Sequence, residues 1–149
     1  MGTQCLTGWL ILLATLTFLS IWSDIRYRKI SNLLCLGVLL SCSIIVLKLG
    51  GVFQIVNVIL FLSIGLVMSH LGWLGGGDSK LFAAYSVAII PAYIPITLFI
   101  VAITGGITSV FYLFRNKVAE SKFTGIPYGI AISLGGLFGV LASILENSV

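Results

Sequence analysis

Six long apolar stretches separated by short polar ones run through this chain: residues 4–23, 31–49, 52–72, 78–90, 93–114 and 126–145. None alternates polar and apolar positions as barrel strands do, and an apolar segment in lipid otherwise satisfies its backbone only as a helix. The pattern predicts an all-α polytopic membrane protein, a bundle of six transmembrane helices. The fourth stretch is short, bounded by Gly75-Gly76-Gly77 before it and by Pro91 and Pro95 after it. It is expected to cross part of the bilayer, or to cross with its loops dipping in.

Composition agrees. Of 149 residues, 59% are hydrophobic and 8% charged, with a mean hydropathy of +1.20, against about 25% charged in an average globular protein. A hydrocarbon core of roughly 30 Å takes about 20 residues per helix, so six spans use about 120 residues and leave about 29. One transmembrane domain over residues 1–149 follows, with almost no room for a soluble one. No Lys or Arg precedes the first apolar stretch and no small-residue cleavage site follows it, so this helix is expected to be retained.

The distribution of the net charge of +4 speaks to topology. Asp24-Ile25-Arg26-Tyr27-Arg28-Lys29 joins the first two stretches, and Gly75-Gly76-Gly77-Asp78-Ser79-Lys80 joins the third and fourth. Arg115-Asn116-Lys117-Val118-Ala119-Glu120-Ser121-Lys122 joins the fifth and sixth. An even number of spans separates these junctions, so all three are expected on one side. They hold seven of the eight basic residues, with Lys48 alone opposite. The positive-inside rule puts the junctions in the cytoplasm and both termini outside. The expected partner of this charge is membrane lipid, with no nucleic acid.

Most catalytic chemistries find no residues here. Cys5, Cys35 and Cys42 form no CxxC pair, and Cys35 and Cys42 stand about 10 Å apart along one helix. They are expected to pack as small hydrophobes. A single histidine, His70, and no HExxH exclude the usual intramembrane zinc protease. No GxSxG is present, and Ser69 and His70 are adjacent, hence on different helix faces. A dyad of Ser31 or Ser79 with Lys29 or Lys80 is not singled out by spacing. Gly75-Gly76-Gly77-Asp78 lacks the GxxxxGK[ST] of a phosphate loop. No metal and no cofactor is expected. Gly105, Gly106, Gly135, Gly136 and Gly139 are expected to let helices approach closely.

Four acids remain. Glu120 falls in a charged loop and Glu146 in the last residues, where solvation accounts for both. Asp24 and Asp78 each mark the boundary of an apolar helix on the same predicted face. Ionisable groups at such depth are functional candidates by default. Two carboxylates brought together hold one proton between them. The ionised member can then activate water while the protonated one polarises a carbonyl, the aspartic-protease solution to peptide hydrolysis. The glycines before Asp78 suit a turn free of helical dihedrals and a close approach to a bound peptide. They also set Asp78 near a helix N-terminus, where the dipole favours carboxylate. A structural reading competes: Asp24 as partner of Arg26 or Arg28, Asp78 as helix cap. The two aspartates together favour chemistry.

Three stretches resemble the type IV prepilin peptidase family of GxGD membrane aspartic proteases. Asp24-Ile25-Arg26-Tyr27-Arg28-Lys29-Ile30-Ser31-Asn32 resembles the motif D-x-R-x-x-x-I-P-N, with Ser31 where Pro is usual. Gly75-Gly76-Gly77-Asp78-Ser79-Lys80-Leu81 matches GxGDxK. Ile126-Pro127-Tyr128-Gly129 resembles a late I/V-P-Y/F-G segment, in the form of small Tad/CpaA-type systems.

That resemblance implies Asp24 and Asp78 as the catalytic pair, with Gly75, Gly77, Lys80, Pro127 and Tyr128 supporting it or binding substrate. The implied reaction removes the short basic leader from type IV (Flp/Tad-type) prepilins or pseudopilins at the cytoplasmic membrane face. Larger members carry a cysteine-bearing loop with N-methyltransferase activity that finds no counterpart here. Lys80 suits an acidic group on the substrate, a role tuning Asp78, or a snorkelling anchor. Arg26, Arg28 and Lys29 suit topology and headgroup contacts. Two other functions compete: a non-enzymatic membrane assembly or transport component, and a GxGD peptidase cutting within the membrane.

Overall fold

A computed structural model describes residues 2–72, 74–118 and 126–147. Glu120, Ser121 and Lys122 of the fifth junction lie outside the described residues, as do the side chains of Cys5 and Lys117. The described residues form six α-helices and no strand: α1 Gly2–Tyr27, α2 Asn32–Lys48, α3 Ile55–His70, α4 Gly76–Ser86, α5 Ile94–Val118 and α6 Tyr128–Asn147. A 3-10 turn, Pro91–Tyr93, leads into α5. Three segments are long and apolar enough to cross a membrane, Leu6–Tyr27, Pro91–Arg115 and Tyr128–Glu146. Phe99, Ile107, Phe111 and Phe114 stand outward on α5, and Leu33, Val56 and Leu66 on α2 and α3. Large apolar faces of this kind are suited to lipid. This is a membrane protein.

The element between the first two helices owes its shape to local bonds. α1 ends where Arg28 takes a left-handed conformation (φ 53°), its N–H bonded to the Asp24 carbonyl at 3.0 Å. Ser31 then caps α2, its hydroxyl accepting the Leu34 N–H at 3.2 Å. Its φ of −71° and ψ of 146° are values a proline adopts. Serine therefore keeps the backbone path usual for proline and adds a cap.

α4 is the centre of the bundle. It packs on α2, α3 and α6, and reaches α1 through Tyr85. Leu81 through Ile89 are all buried. Its 11 residues make about 16 Å of helix, too short to cross a bilayer. The chain beyond it stays in the interior because neighbours satisfy its backbone. Gln54 N–H donates to the Val87 carbonyl at 3.1 Å and Asn57 Nδ2 to the Ile89 carbonyl at 3.1 Å. The Ile90 N–H donates to Ser143 Oγ at 3.0 Å before Pro91 turns the chain.

The glycines before Asp78 act differently from the turn expected of them. Gly75 is the extended residue at the helix start (φ −70°, ψ 138°), and Gly76 and Gly77 are already helical. The left-handed glycine of this junction is Gly72, at φ 76°. Crowding, not torsional freedom, is what Gly77 relieves: a methyl there would stand 3.3 Å from Ile30 Cβ.

The other small residues divide. Gly135 faces Val101, Gly136 the Tyr85 ring and Gly139 Thr97, each too close to admit a methyl. Gly105 faces Ala131 at ordinary contact distance, whereas Gly106 has nothing within 4 Å and packs nothing. Cys35 and Cys42 are free and buried on α2, within the core.

Candidate active site

Asp24 lies in the last turn of α1 and is 6% exposed. Its Oδ2 accepts the backbone N–H of Gly129 at 2.8 Å, and the Ile130 N–H also points to it. These are amides of the first turn of α6, which have no partner within their own helix. Asp24 thus caps α6 from another helix. The Arg28 guanidinium, one turn on, is the basic group that faces this carboxyl. Arg28 itself lies over the Tyr112 ring, 5.0 Å from its centroid, and Arg115 lies 5.3 Å from the same centroid.

Asp78 is the third residue of α4 and is half-buried. Its carboxylate turns back to the Gly75 backbone N–H, half of a capping box. A methyl on Gly75 would stand 2.9 Å from Oδ2. Asp78 lies outside the three spans, at the mouth of the short helix. Burial first, and the charge of Asp24 second, push its carboxyl up to about 6, against the Gly75 bond.

The structure therefore brings the two aspartates into electrostatic contact from α1 and α4. Each sits at the N-terminus of a helix, and α4 and α6 pack on each other. Ile30 fills the space between, touching Gly77 on one side and Gly129 on the other. A methyl on Gly129 would stand 2.7 Å from Asp24 Oδ2 and 2.9 Å from Ile30 Cδ1.

The remaining expected residues fall around this pair at different distances. Lys80 points to the α2 side, where its Nζ donates to Asn32 Oδ1 at 3.0 Å. Pro127 is fully buried immediately before α6. Tyr128 packs on the core and over Gly105. Three residues that matter to the geometry were not among those expected: Gly129, Ile30 and Asn32. All three lie inside the quoted motifs, but only the fold reveals their partners.

The model of the type IV leader peptidase family matches residues 10–110. The chain belongs to that family. The prepilin leader peptidase/N-methyltransferase of Legionella pneumophila is 34% identical over 104 residues, or 70% of this chain and 35% of that protein. The match thus spans about a third of the relative's length. No solved structure gives a significant match. Both aspartates fall inside the segment matched to the type IV leader peptidase family, while α6 and its Gly129 amide lie beyond it.

Proposed function

We propose that this chain is a membrane aspartic endopeptidase that removes the short basic leader from type IV prepilins or pseudopilins of the Flp/Tad type. Asp24 and Asp78 are its catalytic pair. The observation that carries this reading is the approach of two carboxyls from different helices, Asp24 buried and Asp78 half-buried, near enough for the charge of Asp24 to raise the Asp78 carboxyl. Membership of the type IV leader peptidase family supports the substrate class.

The pair holds one proton. In this reading Asp24, whose Oδ2 accepts the Gly129 N–H, is the ionised member, and Asp78, whose carboxyl burial pushes up to about 6, holds the proton. Asp24 takes a proton from water as its oxygen attacks the scissile carbonyl carbon, and Asp78 gives its proton to the carbonyl oxygen. The C–N bond of the tetrahedral intermediate then breaks, the leaving nitrogen takes the proton held by Asp24, and the carbonyl re-forms by returning a proton to Asp78.

The site works at the cytoplasmic face of the inner membrane, within a single domain of six membrane helices, the fourth shorter than a full span, whose termini lie outside. Support comes from the gathering of Asp24, Arg28, Asn32, Lys80 and Gly129 at one end of the bundle, together with the positive-inside rule. A basic leader and an apolar helix place the scissile bond at that depth.

The capping bonds favour a second reading, in which the aspartates only hold helix ends. Cleavage of a purified prepilin by the reconstituted chain separates the two. Asp24→Asn and Asp78→Asn each abolish cleavage if the pair is catalytic. A variant that still clips the leader refutes it.

A further inference from the structure

Two helical turns inward from the carboxyls lies a second meeting of the same three helices. Thr17 precedes Asp24 by seven residues, Tyr85 follows Asp78 by seven, and Ser133 follows Gly129 by four. Those spacings keep each residue on the face that its helix turns to the site. Thr17 is 3% exposed, and Tyr85 and Ser133 are wholly buried. The Thr17 and Tyr85 hydroxyls stand 2.7 Å apart. Thr17 Oγ1 gives its only proton to the Leu13 carbonyl at 2.8 Å. The Tyr85 O–H is therefore the donor to Thr17, and its oxygen is left to accept. Ser133 Oγ lies beside that oxygen, buried and without a partner at full hydrogen-bonding geometry. Gly136 gives the ring its space, since a methyl there would collide with it.

We propose that Tyr85 is a positioning residue whose hydroxyl, bonded to Thr17 and flanked by Ser133, holds α1, α4 and α6 in the register that keeps Asp24 and Asp78 together. The apolar contacts around it are non-directional and tolerate sliding. A buried hydroxyl bond does not, because a slip leaves both oxygens unsatisfied. The bond ties the helix carrying one aspartate to the helix carrying the other. Its kinetic consequence rests on the peptidase reading, whereas its effect on the carboxyls does not.

The charged or titratable groups around the pair are Arg28 at the end of α1, Cys35 on α2 and Lys80 on α4, with Arg115 of α5 sharing the Tyr112 ring with Arg28. None changes with the substitutions below. The chain has only two aspartates, so carbon NMR of the full chain, labelled at aspartate Cγ in detergent micelles, reads the pair directly. Tyr85→Phe and Thr17→Val each lower the Asp78 midpoint from about 6 by about half a pH unit or more, as separation weakens repulsion and admits water. The double variant goes no further than either alone, and Thr17→Ser retains the wild-type titration. Wild-type midpoints in both single variants, or an additive double variant, overturn the proposal.

On a synthetic prepilin, Tyr85→Phe lowers kcat roughly tenfold with KM unchanged. Persistent cleavage by the Asn variants sinks the peptidase reading and leaves the titration result standing. Dead Asn variants beside an unaltered Tyr85→Phe titration sink the positioning role alone.

Discussion

The Gly129 N–H and the Asp24 carboxylate meet at 2.8 Å across 105 residues of chain. That bond makes the start of α6 a part of the site, although neither Gly129 nor any other α6 residue brings an acid or base to it. It satisfies an amide that its own helix leaves unpaired and fixes one carboxylate oxygen; the proposed mechanism uses the other.

The first prediction concerns this amide. A methyl on Gly129 falls 2.7 Å from Asp24 Oδ2, so Gly129→Ala displaces the carboxylate while leaving both helices intact. Leader cleavage is expected to fall on the order of a hundredfold, with an unchanged far-UV circular dichroism spectrum. Full activity in this variant counts against any role for the contact.

Asp78 provides a prediction about pH. Its carboxyl lies near 6 in the folded protein against 3.8 for the free group, so the folded state holds the proton more tightly. Stability contributed by the protonated form is present below about 4 and is lost as pH rises to about 6, with no further change above. Asp78→Asn removes this loss and keeps an acceptor for the Gly75 N–H. At pH 7 the variant is expected to be the more stable by on the order of 2 kcal/mol, the two proteins converging at pH 4 in thermal unfolding.

Ser31 distinguishes a cap from a turn. Ser31→Ala removes the acceptor for Leu34 N–H and is expected to cost about 1 kcal/mol. Ser31→Pro removes it too but restricts the unfolded chain at a φ already suited to proline. The proline variant therefore unfolds at a higher temperature than the alanine one.

Two neighbouring classes of glycine should respond in opposite directions. Gly136→Ala drives a methyl into the Tyr85 ring and is expected to destabilise by about 1–3 kcal/mol. Gly106→Ala meets nothing and gains up to about 1 kcal/mol of helix propensity. Thermal unfolding in one detergent reads both.

The helices were legible because apolar runs of span length have few alternatives, and each observed helix begins or ends within a few residues of its apolar stretch. The two aspartates were legible because acids are so scarce here. Their partners were not. Gly129 meets Asp24 only through the packing of α1 on α6, which no local pattern encodes. A run of three glycines announces that side chains are unwelcome but not why, and at Gly77 the reason is Ile30 from another junction. Lys80 read equally as anchor, tuner or substrate contact until Asn32 appeared beside it. Tyr85 carries no sequence signal, since the partner of its buried hydroxyl lies on a different helix.

The enclosure of α4 has a mechanical consequence. A helix surrounded by lipid tilts or shifts when bilayer thickness changes. α4 is walled by α2, α3 and α6, so the level of Asp78 is dictated by neighbouring side chains and not by acyl-chain length. The protein carries its own ruler: the height of this carboxyl is set within the bundle.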